Sequence, residues 1–109
     1  MSVPKGFTKV ARLADLREKR GRMVLVGDRE VALWLVGGVI YAIDNLCPHQ
    51  HTPAMHSATL DGIHVTCQMH GWTFSLESGL EKNGNGRITT YRIHVEGDDI
   101  CIEEPGTTW

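Results

Sequence analysis

The sequence predicts an all-β protein, an antiparallel sandwich or small barrel interrupted by two irregular loops. Three observations carry this. Short apolar runs of strand length recur along the chain, glycine-containing turn signals separate them, and no stretch holds a helical period for more than about two turns. The 109 residues include 12 glycines and suit one domain, spanning residues 1–109.

Taken in order, Phe7 to Val10 reads as a first strand. Leu13 to Lys19 predicts one or two helical turns, with Asp15 and Glu18 early, Lys19 and Arg20 late, and Gly21 as the terminator. Met23 to Val26 and Val31 to Val36 predict strands around a turn at Asp28-Arg29. Gly37-Gly38 is a hairpin signal, with Val39 to Ile43 returning. Residues 45–57 are polar, contain Pro48 and Pro53, and follow neither period. Ile63 to Thr66 is a strand, Met69 to Trp72 an irregular turn, and Thr73 to Leu76 a strand turned by Ser78-Gly79. Asn83 to Gly86 is a loop by composition. Thr89 to Val95 alternates as a strand should, and Gly97 to Asp99 links it to Ile100–Glu103. Pro105 to Trp109 reads as a tail, with Trp109 free to pack back.

Charge is unevenly spread. Residues 1–30 hold eight Lys/Arg against four Asp/Glu, a net +4, while residues 31–109 carry a net −6. An acidic remainder with no Lys or Arg between Asp44 and Gly79 argues against a nucleic-acid surface. No apolar run is long enough to span a bilayer, and Met1 to Val10 lacks the apolar core of a signal peptide, so the expected compartment is the cytoplasm. Three cysteines in a reducing compartment do not suggest a disulfide framework.

Chemistry concentrates in two short motifs, Cys47-Pro48-His49 and Cys67-Gln68-Met69-His70. Each places two donors on one turn. The 17 residues between His49 and Cys67 can run out along one strand and back along the next, so that two loop tips meet over one centre. Two thiolates and two imidazoles suit zinc, an iron–sulfur cluster or copper. Zinc sites commonly pair like with like. Here each loop supplies one Cys and one His, which fits a two-iron cluster with both thiolates on one iron and both imidazoles on the other. Cys101, in the run Ile100-Cys101-Ile102, reads as a buried strand residue. His56, His64 and His94 read as exposed loop or strand residues; His51, two residues past a candidate ligand, could touch the rim of the centre or a partner.

At these residues the sequence resembles the Rieske ferredoxin family, whose signature is C-x-H followed at a distance by C-x-x-H. Pro48, Pro53, Gly71, Trp72 and Phe74 extend the match, and the strand pattern continues it from Phe7 to Glu103. The chain departs from many members at His51 and Thr52, at Gln68 and Met69, and at Lys82 to Gly86, which lacks a proline often found there. The resemblance implies a Rieske-like sandwich with cluster-binding loops at about 45–57 and 67–74. It implies one [2Fe–2S] cluster held by Cys47, His49, Cys67 and His70, with Trp72 and Phe74 packing behind the second loop.

Charge bookkeeping then gives a neutral oxidised cluster that one electron takes to −1, so the expected role is one-electron transfer. The family's implied partners are a flavin-containing reductase and a terminal oxygenase or other redox protein, with the chain an electron-transfer component rather than a catalyst on its own. The small subunit of an NAD(P)H-dependent nitrite reductase is the alternative, and a zinc-stabilised binding module is a third reading. High-potential members typically carry Ser and Tyr where this chain has Trp72 and Phe74, and a loop-bridging disulfide at positions occupied here by Thr52 and Met69. The resemblance therefore implies a low-potential member.

Overall fold

The middle of the molecule is a strand buried on both faces. In β3 (Arg29–Val36), Val31, Ala32, Leu33 and Trp34 are all buried. Successive side chains point to opposite faces. Val31 and Leu33 join one apolar cluster with Val24, Val26, Ala42, Ile100 and Ile102, while Ala32 and Trp34 join a second with Ile43, Met55, Val65, Phe74 and Leu76. This explains why β3 reads as an unbroken apolar run rather than an alternating one.

The computed structural model describes residues 5–47, 54–67, 71–84 and 86–104. Within them lie nine strands in three antiparallel sheets. The first pairs β1 (Phe7–Arg12), β9 (Asp99–Glu103) and β8 (Ile93–Glu96) in the order β1-β9-β8. The central sheet runs β2-β3-β4, with β2 at Gly21–Val26 and β4 at Val39–Asp44. The third is β5-β6-β7, from Thr59–Asp61, His64–Thr66 and Thr73–Ser75. The predicted all-β antiparallel architecture stands. The central sheet is a partition, with the first sheet over one face and the third over the other. Among the described residues no helix is long and apolar enough to cross a membrane.

Several elements differ from expectation. The predicted helix over Leu13–Lys19 shrinks to one 3₁₀ turn at Leu13–Asp15. The chain beyond it is drawn onto β3: the Lys19 N–H donates to Leu35 O at 2.7 Å, and the Glu18 carboxylate accepts from Gly37 N–H. The first hairpin turns at Gly27-Asp28, not Asp28-Arg29, because Val26 pairs with Arg29 and Gly27 takes φ +62°. The single strand expected over Thr89–Val95 is divided. Asp44 N–H donates to Thr89 O and Tyr91 N–H to Ala42 O, so residues 89–91 follow the edge of β4 before the chain joins the first sheet as β8. Strand β5 adds to the strands that the sequence predicts. Three residues carry too little pattern, and pairing of Leu60 with Val65 defines it. Gly37 and Gly38 both take positive φ, as the two-residue hairpin they predict requires. The tail at 105–109 lies outside the described residues.

Cys101 lies fully buried in β9, as expected. Burial, with Asp99 and then Glu96 nearby, pushes its thiol pKa up against the opposing pull of Lys9. It therefore stays a protonated core residue rather than a reactive thiolate.

Gly21 also acquires a different role. It lies in β2, where a Cβ would stand 2.1 Å from the His56 carbonyl oxygen and 2.7 Å from the Trp34 ring. Only a glycine lets β2 approach the segment that follows the first loop. Gly21→Ala is expected to destabilise the fold by at least the roughly 1–3 kcal/mol typical of overpacking. A thermal melt would show this as a clear drop in Tm, whereas Gly62→Ala, which meets no atom within 4 Å, is expected to register only the smaller strain of its positive φ.

Candidate metal centre

Two of the four candidate donors are described, and both are at the bottom of a dry floor. Cys47 and Cys67 are fully buried and belong to one apolar cluster with Trp34, Met55, Val65, Phe74 and Leu76. They arrive there from different sheets. Cys47 follows the end of β4 by three residues, and Cys67 directly follows β6. His49, His70, His51 and Gln50 lie outside the described residues.

Each loop is closed at its root by backbone hydrogen bonds. In the first loop, Asn45 O accepts from both Ala54 N–H and Met55 N–H at 3.1 Å. The loop thus leaves and returns at one residue. The Asn45 side chain completes the closure: Oδ1 accepts from His56 N–H at 2.7 Å and lies 3.0 Å from His56 Nδ1, while Nδ2 donates to Glu30 Oε1 at 3.1 Å. Asn45 N–H donates to Glu30 O at 2.9 Å, and Leu46 N–H donates to Asp44 Oδ1 at 3.3 Å. The second loop is shut by Cys67 N–H to Trp72 O at 2.8 Å and Gly71 N–H to Cys67 O at 2.9 Å. Gly71 takes φ +73°, a backbone state that glycine adopts without a steric cost.

Aromatic packing supports both roots. Phe74 is fully buried, and Trp72 packs against the same cluster with its ring centroid 6.4 Å from that of Phe74. Trp34 Nε1–H donates to Met55 O at 3.2 Å, fixing the segment on which the first loop lands. Thr66 and Thr73, flanking the second loop, share a 2.8 Å hydroxyl hydrogen bond. One of the two hydroxyl protons is committed to that bond.

The three histidines expected to be exposed divide. His64 is exposed. His56 is half-buried against Asn45, and His94 is half-buried, 2.9 Å from the Glu96 carboxylate. Sequence reading missed Asn45. A short amide at a strand end is a common turn former, but only the fold shows that this one is fully buried.

A small antiparallel β-protein with buried cysteines at the roots of two closed loops is the architecture of a metal-cluster carrier. The Rieske [2Fe-2S] domain family matches residues 6–92, and the chain belongs to that family. Its cofactor is accordingly a Rieske-type [2Fe–2S] cluster. Sulfur donors in an apolar, hydrogen-bonded setting fit such a group.

Relatives sharpen the comparison. The chain is 38% identical over 77 residues to the 3-phenylpropionate/cinnamic acid dioxygenase ferredoxin subunit of Escherichia coli K12, covering 69% of this chain and 73% of that protein. Its fold is similar to that of the Sphingomonas yanoikuyae B1 ferredoxin, with a TM-score of 0.81 and 25% identity, over 90% of this chain and 98% of the other. It is also similar in fold to a chain assigned as the NADH-dependent nitrite reductase small subunit of Mycobacterium tuberculosis. There the TM-score is 0.81 at 22% identity, with 88% and 92% of the two chains covered.

Asn45→Ala is expected to loosen the first loop at its root. It leaves the half-buried His56 N–H without its acceptor, a loss of about 1 kcal/mol. The expected result is a lower Tm together with faster cluster loss, followed as bleaching of the visible absorbance. Asp28→Asn, in the exposed turn between β2 and β3, is the control and should leave both nearly unchanged.

Proposed function

We propose that this chain acts as a single-domain, one-electron carrier, taking an electron from a flavin-containing reductase and passing it to a terminal oxygenase. In this reading Cys47 and Cys67 hold one iron of the cluster, and His49 and His70 hold the other. The bound cluster supplies reversible one-electron chemistry. The protein's residues keep the sulfur side dry and the loops fixed. The observation that carries the reading is the pair of buried cysteines at closed loop roots, in a chain 38% identical to a dioxygenase ferredoxin subunit. The nitrite reductase small subunit is the second reading, favoured by fold likeness alone. Co-purification with a flavin reductase and an oxygenase, or with a nitrite reductase, separates the two. The setting proposed is the cytoplasm.

The reading includes a low potential, toward the bottom of the range of about −150 to +300 mV. Hydrogen bonds to cluster sulfur stabilise the reduced state and raise the potential. Trp72 and Phe74 bring no hydroxyl, and the bond between Thr66 and Thr73 commits one of their two hydroxyl protons. Redox titration of the purified protein near neutral pH should give a midpoint below zero. A midpoint well above zero would remove the low-potential reading.

Two further outcomes are expected. The purified protein should hold two irons and two acid-labile sulfides per chain without stoichiometric zinc, and Cys47→Ser or Cys67→Ser should abolish the cluster. A coloured, redox-active protein after either substitution would sink the assignment. We place the docking surface at the loop tips, around His49, His51 and His70. Alanine at His51 or Gln50 should slow electron transfer to the partner while leaving the cluster spectrum intact. If only Arg17, Lys19 and Arg20 matter, docking runs through the basic N-terminal third instead.

A further inference from the structure

Glu81 is a buried carboxylate, 5% exposed. It stands opposite Phe74 in an isolated antiparallel bridge, and Phe74 shares the apolar cluster of Cys47 and Cys67. Its two oxygens take different donors. Oε2 accepts from Thr73 N–H at 3.2 Å and Oε1 from Asn83 N–H at 2.8 Å. Lys82 N–H to Thr73 O at 2.8 Å and Glu81 N–H to Gly86 O at 2.9 Å complete the clamp. The side chain thus fastens the start of β7 to the loop after Leu80. Thr73 N–H and Trp72 O belong to one peptide unit, and Trp72 O is the acceptor that closes the second cluster loop on Cys67. Backbone N–H donors on a carboxylate's oxygens favour its ionised form.

We infer that Glu81 is a redox-tuning residue, its negative charge lowering the potential of the cluster while its hydrogen bonds position the adjoining loop. Adding one electron places a further negative charge on the cluster. A fixed carboxylate in the protein wall opposes that charge, and burial keeps the opposition from being screened as it would be at the surface. Glu77 offers the contrast. It follows β7 in the same segment but is exposed, so solvent and salt screen it. The inference rests on the ligation proposed above and adds a cause of low potential independent of residues 72 and 74.

The test is redox titration of the cluster-loaded protein and three variants, with iron and sulfide content and visible spectrum recorded for each. Glu81→Gln keeps the shape and removes the charge. It should raise the ratio of reduced to oxidised protein at the wild-type midpoint by about tenfold, or about 59 mV for one electron, and the shift should persist in high salt. Glu81→Asp and Glu77→Gln should stay within about twofold of wild type. A Glu81→Gln midpoint within twofold of wild type, with an intact spectrum, overturns the inference. So does a Glu81→Asp shift as large as that of Glu81→Gln, which would assign the effect to loop position. If Glu81→Gln assembles no cluster, Glu81→Met fills the same volume without charge and is held to the same tenfold expectation. A wild-type protein lacking iron and sulfide overturns the ligation itself. A high wild-type midpoint overturns only the low-potential reading, because the sign of the Glu81 shift is measured between variants.

Discussion

The carbonyl of Asn45 takes two N–H donors, and the geometry of the first loop follows from that. Ala54 and Met55 return to the residue from which the loop departs. The two ends of the loop are therefore held together at one residue. The amide side chain locks the crossing by engaging His56 and Glu30. A buried amide with its polar atoms satisfied stabilises one arrangement and penalises others, since any slip strands those atoms without partners. The second loop is closed by backbone hydrogen bonds through Cys67, Gly71 and Trp72.

These closures need a rigid base, and β3 provides it. Its two faces feed two different apolar clusters, so the central sheet is held from both sides. Gly21 and Trp34 transmit that rigidity to the landing point of the first loop. The glycine allows β2 to come against His56, and the indole N–H fixes Met55. On the far side, Phe74 and Trp72 brace the second loop from β7. Each cysteine thus sits on an element whose position the central sheet has already decided.

What the sequence made legible follows from how local each signal is. Strands such as Met23–Val26 and Val31–Val36 announce themselves through apolar runs and flanking glycines. The candidate ligands stand out because C-x-H and C-x-x-H place rare donor types at chemically meaningful spacing. The helix expected after Leu13 failed because Glu18 and Lys19 find partners on β3, at Gly37 and Leu35, which no local pattern reports. Strand β5 and the break at residues 89–91 depend on pairing across the chain in the same way. Asn45 and Glu81 look like ordinary polar loop residues in sequence. Their importance lies in burial, which is a property of the finished fold.

The two apolar clusters also divide the work of folding and function. The cluster formed by β2, β3, β4 and β9 with Ala11 and Leu16 contains neither Cys47 nor Cys67. It can hold the central and first sheets together whatever the state of the loops. The other cluster includes both cysteines. Two thiols in an apolar floor pack as small hydrophobes while protonated, but as thiolates they would be uncompensated buried charges. In the proposed ligation, exchange of the two thiol protons for metal would remove that penalty and couple binding energy to the order of this cluster. The side chains of β3 belong to both clusters, so the scaffold that holds the first sheet also carries the floor on which the two cysteines sit.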